Sequence, residues 1–311
     1  MNKKYLFLAL KILIILAVIG GVGWEFHKSW DKIQHVQWEP HYIFLVLSGI
    51  CYALAFIPAA VFWRYAMQTL GQQPGVAETF RAYYIGHLGK YVPGKVMVLI
   101  IRSGLLNREK TNITAAAASV FVETMTMMAV GAFVAAVTVL CFFSQINHGS
   151  WLTFVILGIM IGTVLPILPP VFHFIAKKCK IELEGLRFQT LAVGWILNIP
   201  VWIILGVSLW FTMLGFGMKS ESLLMELPVC TLAISFSMVL GFASMIPGGF
   251  AVREAAMVAV LVPFFTSHPI GGIDPMILAT VLVVVLRIIS ILSELAVSAV
   301  LAVTLCFKTN R

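Results

Sequence analysis

Apolar runs long enough to cross a bilayer recur from one end of this chain to the other, and that pattern excludes most folds. The stretches 5–23, 41–63, 113–143, 151–176, 188–214 and 275–306 carry almost no charge, and roughly 20 apolar residues at 1.5 Å per residue span a ~30 Å hydrocarbon core. Inside lipid a backbone has no water to bond, so only helices and closed barrels cross it. None of the runs alternates with period two as barrel strands do. The expected fold is therefore an all-α polytopic integral membrane protein with about six to eight transmembrane helices. With 60% hydrophobic residues, 11% charged residues and a mean hydropathy of +0.99, no stretch is left over for a soluble domain. A single transmembrane domain over 1–311 is expected. The basic start of the chain resembles a signal peptide, but Lys11 interrupts its apolar core and no small-residue cleavage site follows, so the segment reads as a first span.

Two further apolar regions, about 77–106 and 223–266, are interrupted by VPG at 92–94 and IPGG at 246–249. Lys and Arg cluster in four places: at Lys3 and Lys4, from Arg64 to Lys110, from Lys177 to Arg187, and at Lys308 and Arg311. By the positive-inside bias these positions, with both termini, are cytoplasmic. The connections 144–150 and 267–274 lack Lys and Arg, and 215–222 has only Lys219, so these read as external. The 24–40 loop is mixed, because Lys28 and Lys32 oppose its external placement. The net charge of +8 thus reflects topology and anionic headgroups, and no nucleic-acid partner is implied.

This assignment holds if each interrupted region enters and leaves on the same side, as a re-entrant helical hairpin. If both arms of the second region cross instead, the orientation is unchanged and the number of spans rises. The approximate halves 1–145 and 146–311 then share one plan, two spans, a broken hairpin and another span, and begin on opposite sides. Such an inverted repeat places a binding site near the midplane, where the interrupted helices meet.

The residues at the interruptions suit that place. In GKYVPGKV, Gly89 and Pro93 break the helix, Gly94 turns the chain, and Lys90 and Lys95 make the turn strongly positive. In IPGGFAVREAAMV, Pro247, Gly248 and Gly249 precede Arg253 and Glu254 in the first turn of a half-helix. Exposed N–H groups and cations together favour an anion, most simply a phosphate. Glu254 is attracted to the same helix terminus and is placed to pair with a lysine of the other hairpin. His87, just before Lys90, reads as a hydrogen-bonding cavity residue. The plainer alternative makes all these charges interfacial, snorkelling to headgroups. Glu123, Arg287 and Glu294 lie inside apolar spans, Arg287 and Glu294 two helical turns apart on one face. They form interhelical ion pairs that fix packing, or else one of the carboxylates carries a proton in coupled transport.

No GxSxG, HExxH, Walker loop or GxGxxG is present, and the Cys residues are scattered without ligand spacing. No cofactor, metal or enzymatic activity is expected.

The paired motifs GKYVPGKV and IPGGFAVREAAMV resemble the lysylphosphatidylglycerol synthase transmembrane-region family, also described as flippase-like membrane proteins, over nearly the whole chain. The resemblance carries over Gly89, Lys90, Pro93, Gly94, Lys95, Pro247, Gly248, Gly249, Arg253 and Glu254. It implies a bacterial inner-membrane location. In relatives with a soluble synthase domain, the membrane half is associated with moving the modified lipid across the bilayer. The sequence given ends after its last span, so a stand-alone member without that domain is expected. The implied role is a lipid transporter or flippase that moves an anionic phospholipid or polyprenyl-phosphate-type lipid between leaflets. The alternative is a non-transporting accessory or scaffold subunit for a lipid-modifying or glycan-assembly enzyme, while a small-solute or ion antiporter fits the basic intramembrane charges less well. Membrane lipids are the expected partners, and the oligomeric state is left open.

Overall fold

The computed structural model describes residues 40–91, 96–106, 112–143, 150–178, 185–218, 222–244, 246–269 and 273–309. The span expected at 5–23 lies outside them, as do Pro93, Gly94 and Lys95. Among the described residues the regular structure is entirely helical. Among the described residues five helices are long and apolar enough to cross a membrane, or up to six if one bent pair counts as a span, against the six to eight expected of the whole chain.

Helices α1 (Tyr42–Ala55) and α2 (Ile57–Thr69) form one crossing with a hitch at Phe56. Pro58 has no amide proton to offer the preceding turn, which explains a break there. The first interrupted region folds as α3 (Val76–His87), a tight turn of 3-10 helix (Leu88–Tyr91) and α4 (Val96–Gly104). With 12 and 9 residues, neither arm reaches across the hydrocarbon. The first arm ends before Pro93, earlier than the proline alone suggested.

Helix α5 (Ile113–Phe143) crosses next. The expected span at 151–176 is not one straight helix: α6 (Ser150–Val164) continues through a short 3-10 turn, and the chain then bends by 90° into α7 (Pro169–Lys178). Pro166, Pro169 and Pro170 withhold three amide donors, and Leu168 takes the extended conformation (ψ 120°) that a residue before proline prefers. Helix α7, at right angles to α6, buries Phe172 and Ala176 and ends in Lys177 and Lys178.

Helices α8 (Phe188–Gly215), α9 (Leu223–Ala243), α10 (Val252–Ser267) and α11 (Pro275–Thr309) complete the chain. The second interrupted region is an unequal hairpin. Its first arm, α9, has the length and apolarity of a span, whereas α10 has 16 residues, roughly 24 Å.

The two halves are related by contacts that exchange. Helix α9 packs on α5 as α3 packs on α11; α10 packs on α11 as α4 does on α5; α8 meets α5 as α1 meets α11. The α1–α2 crossing and α8 are antiparallel. The amide of His41 donates to the Gly215 carbonyl (2.9 Å), while at the other end Gly194 faces the Phe62 ring so closely that a Cβ there would overlap it. Between these ends Ser48 Oγ donates to the Ser208 carbonyl (2.7 Å) and Ser208 Oγ to the Ser48 carbonyl (2.9 Å). Equivalent helices running in opposite senses, joined by a reciprocal pair, are the geometry of an inverted repeat. The main core, with Trp63, Trp202, Phe56 and Met67 buried, lies along this seam.

Candidate functional site

The backbone of the second interruption is shaped by left-handed residues. Gly248 and Gly249 have φ of 64° and 65°, and Ala251 has φ of 63°. Glycine adopts this region freely, whereas alanine does so at some cost. The result is a turn narrow enough for Gly249 to lie against Gly241 on α9; a Cβ on Gly249 would sit 2.8 Å from the Gly241 Cα. In the first hairpin Gly89 has the same use, since a Cβ there would sit 2.8 Å from the Val98 amide nitrogen.

The two turns touch. A Cβ on Gly248 would lie 3.2 Å from Arg287 Nη2, 3.6 Å from the Tyr91 ring and 3.8 Å from the Lys90 carbonyl. Around this contact gather charged side chains from both halves. Lys90 Nζ is 2.5 Å from Glu294 Oε1, which also accepts from the Tyr52 hydroxyl at 2.8 Å, with His87 Nε2 3.7 Å away. Arg287 Nη2 donates to the Gly248 carbonyl (3.2 Å), and its Nε is 3.6 Å from Glu254 Oε1. Among the described residues Glu254 pairs with an arginine of α11, and Lys90 of the other hairpin pairs instead with Glu294; Lys95 lies outside the described residues. Lys90 and Arg287 both lie over the Tyr91 ring, at 5.0 and 5.4 Å from its centre.

Arg253, 7% exposed, makes no hydrogen bond or ion pair among the described residues, and its charge is felt at Tyr52, His87, Lys90 and Tyr91. Several buried polar atoms at the junction have no hydrogen-bond partner in the structure: His87 Nε2, Glu254 Oε2, Glu294 Oε2, and Nε and Nη1 of Arg287. Groups of this kind are costly to bury dry, so they mark a place for water or a polar ligand. The charged side chains placed here are Lys90, Arg253 and Arg287 against Glu254 and Glu294, a surplus of one cation among the described residues, with His87 counted neutral.

Glu123 is elsewhere. Arg102 Nη1 donates to its Oε2 (2.8 Å) and the Tyr83 hydroxyl to its Oε1 (2.9 Å). The Arg102 guanidinium packs against the rings of Tyr83 (3.9 Å) and Trp63 (5.2 Å), and the side chains of the pair are 3% and 2% exposed. Gly86 leaves the room that Arg102 needs, because a Cβ there would overlap its Cγ. This closed ion pair ties both arms of the first hairpin to α5.

Of the residues expected at the site, Lys90, His87, Gly248, Arg253, Glu254, Arg287 and Glu294 come together here. Gly89, Gly249 and Pro247 shape the turns, and Glu123 is diverted into the closed pair. Lys95, Gly94 and Pro93 lie outside the described residues. Sequence reasoning missed Tyr52 and Arg102. Arg102 sits among the basic residues after the first break, so position alone marked it as a topology signal. Among the described residues no three His, Cys, Asp or Glu side chains gather to hold a metal.

Residues 8–292 match the family described as Lysylphosphatidylglycerol synthase TM region, a family of membrane domains associated with lipid-related functions. No curated protein and no solved structure matches the chain. Because the match takes in both hairpins and all but the two ends of the chain, this multi-pass membrane protein belongs to the lysylphosphatidylglycerol synthase TM region family.

Proposed function

We propose that the protein is a lipid transporter, a flippase, that passes an anionic headgroup between leaflets through the junction of the two hairpins. A phospholipid and a polyprenyl-phosphate-type lipid share the phosphate that this chemistry recognises. The supporting observation is the contact between the two turns, one from each half, with Lys90, Arg253 and Arg287 beside it and several polar atoms unbonded. Arginine forks onto phosphate oxygens and lysine adds a point charge. The headgroup is held at the junction while its acyl chains stay in hydrocarbon, and rocking of the two antiparallel halves exposes the junction to each side in turn. No reacting group is required, so the protein acts without enzymatic chemistry, in the bacterial inner membrane with its termini in the cytoplasm.

Leaflet exchange of a fluorescent anionic phospholipid in reconstituted vesicles tests this reading. The wild-type chain accelerates exchange. Arg253→Ala and Lys90→Ala each slow it by about 10- to 100-fold, the equivalent of one charge-assisted hydrogen bond of ~1.5–3 kcal/mol. Binding without exchange, together with a co-purifying enzyme, would support the accessory-subunit reading instead.

A further inference from the structure

Three of the carboxylates inside apolar helices, Glu123, Glu254 and Glu294, sort into different kinds. Glu123 is sealed: its cation packs on two aromatic rings and is almost fully buried. Glu254 shares Arg287 at 3.6 Å, and Arg287 is also held by the Gly248 carbonyl. Glu294 is paired with the cation best placed to meet a ligand, since the Lys90 side chain is 20% exposed while that of Glu294 is 4% exposed. A carboxylate and a phosphodiester are both monoanions offering two acceptor oxygens, and they suit the same ammonium.

We propose that Glu294 and a monoanionic phosphodiester headgroup compete for Lys90, and that Glu294 takes up one proton when the headgroup wins, so that headgroup and proton cross together. The inference rests on the transport reading above. The groups facing Glu294 decide the proton's place. Tyr52 comes from α1, His87 from α3, and Lys90 and Tyr91 from the first turn, while Arg253 of α10 and Arg287 of its own helix stand near Lys90 and Tyr91. Once Lys90 turns to phosphate, Glu294 keeps the Tyr52 hydroxyl and the more distant His87, while Arg287 stays with Glu254 and Gly248. A buried carboxylate without a counter-cation neutralises. Its Oε2 has no hydrogen-bond partner in the structure and offers the position for the new O–H bond. The proton comes from bulk water or buffer. Lys90 keeps its charge throughout, so one anion and one proton enter and the charge of the site is unchanged. Arg253 offers the competing outcome, in which Glu294 moves onto that guanidinium and no proton is taken up.

The test is calorimetric titration of the detergent-solubilised full chain with dioctanoylphosphatidylglycerol near neutral pH, in two buffers of different ionisation enthalpy. A phosphodiester does not titrate near neutrality, so the protons counted belong to the protein. The expected result is uptake of about one proton per lipid bound, with affinity that rises as pH falls, because the complex holds more protons than the free protein. Glu294→Gln removes the competitor and is expected to bind more tightly with no proton uptake. Dimethyl phosphate, the same diester without acyl chains, separates a lipid site from one for free diesters. Wild-type binding without proton uptake overturns the inference and leaves the transport reading standing. Undiminished uptake in Glu294→Gln assigns the proton elsewhere and also overturns it. Failure of the wild-type chain to bind either diester overturns the inference and, with it, transport of a phosphodiester lipid. The wild-type proton count is decisive even if the variant does not fold.

Discussion

Lys90 Nζ lies 2.5 Å from Glu294 Oε1, joining the turn of the first hairpin to the last helix across 204 positions of the chain. A pair that bridges the two halves at the contact of their turns is placed to respond when the halves move. Its partner cluster, Arg102 with Glu123, stays within the first half and ties the hairpin down. The same kind of contact therefore serves two ends, and the difference is testable.

Removing one member of the Arg102–Glu123 pair strands a buried charge, which costs about 3–5 kcal/mol. Arg102→Met should lower the thermal unfolding midpoint of the detergent-solubilised protein markedly. Arg102→Met combined with Glu123→Leu should recover most of that loss and also restore lipid exchange, because the pair holds structure and touches no headgroup. Restored folding without restored exchange would show that the pair takes part in transport.

At the junction the outcome reverses. Lys90→Met with Glu294→Leu leaves no stranded charge and should unfold close to the wild-type midpoint. Its exchange rate should nevertheless fall by at least about tenfold, since the lysine that meets the phosphate is gone. Measuring both quantities on one preparation separates packing from binding.

Glycine substitutions should divide by their surroundings. A Cβ at Gly89 or Gly249 would meet backbone at 2.8 Å, so alanine at either must push the arms of a hairpin apart and lower both stability and exchange. Gly158 and Gly162 on α6 have nothing within 4 Å, and alanine there should be neutral or stabilise by about 0.5–1 kcal/mol through helix propensity. Thermal unfolding of the four single variants gives the ranking.

Ala251 carries a left-handed φ of 63° just before α10. Ala251→Gly should raise stability by about 1 kcal/mol, and Ala251→Val should lower it by more, because a β-branched side chain is excluded from that region. A lower midpoint for Ala251→Gly would mean that the methyl group matters more than the backbone.

The long helices were legible because their apolar runs exceed the bilayer thickness, and the two interruptions because Pro and Gly at that depth have few other uses. Arg253 and Lys90 were found for the same reason, as cations beside a helix break. Tyr52 was not, since a tyrosine in an apolar run carries no mark of the carboxylate it will meet from α11. That Arg287 stands beside Glu254 was not legible either, because spacing along one helix cannot reveal which neighbouring helix faces it. The bend before α7 was written in Pro166, Pro169 and Pro170, yet the surrounding hydrophobicity concealed it within one apparent span.

A photo-reactive side chain at the contact of the turns tests the central claim most directly. With p-benzoylphenylalanine in place of Tyr91, irradiation in vesicles should attach anionic phospholipid in preference to a zwitterionic one, and Arg253→Ala should abolish that preference. The same probe at Leu292, 61% exposed on α11, should label both lipids alike. Equal labelling of the two lipids at position 91, or none at all, would contradict a headgroup site between the hairpins.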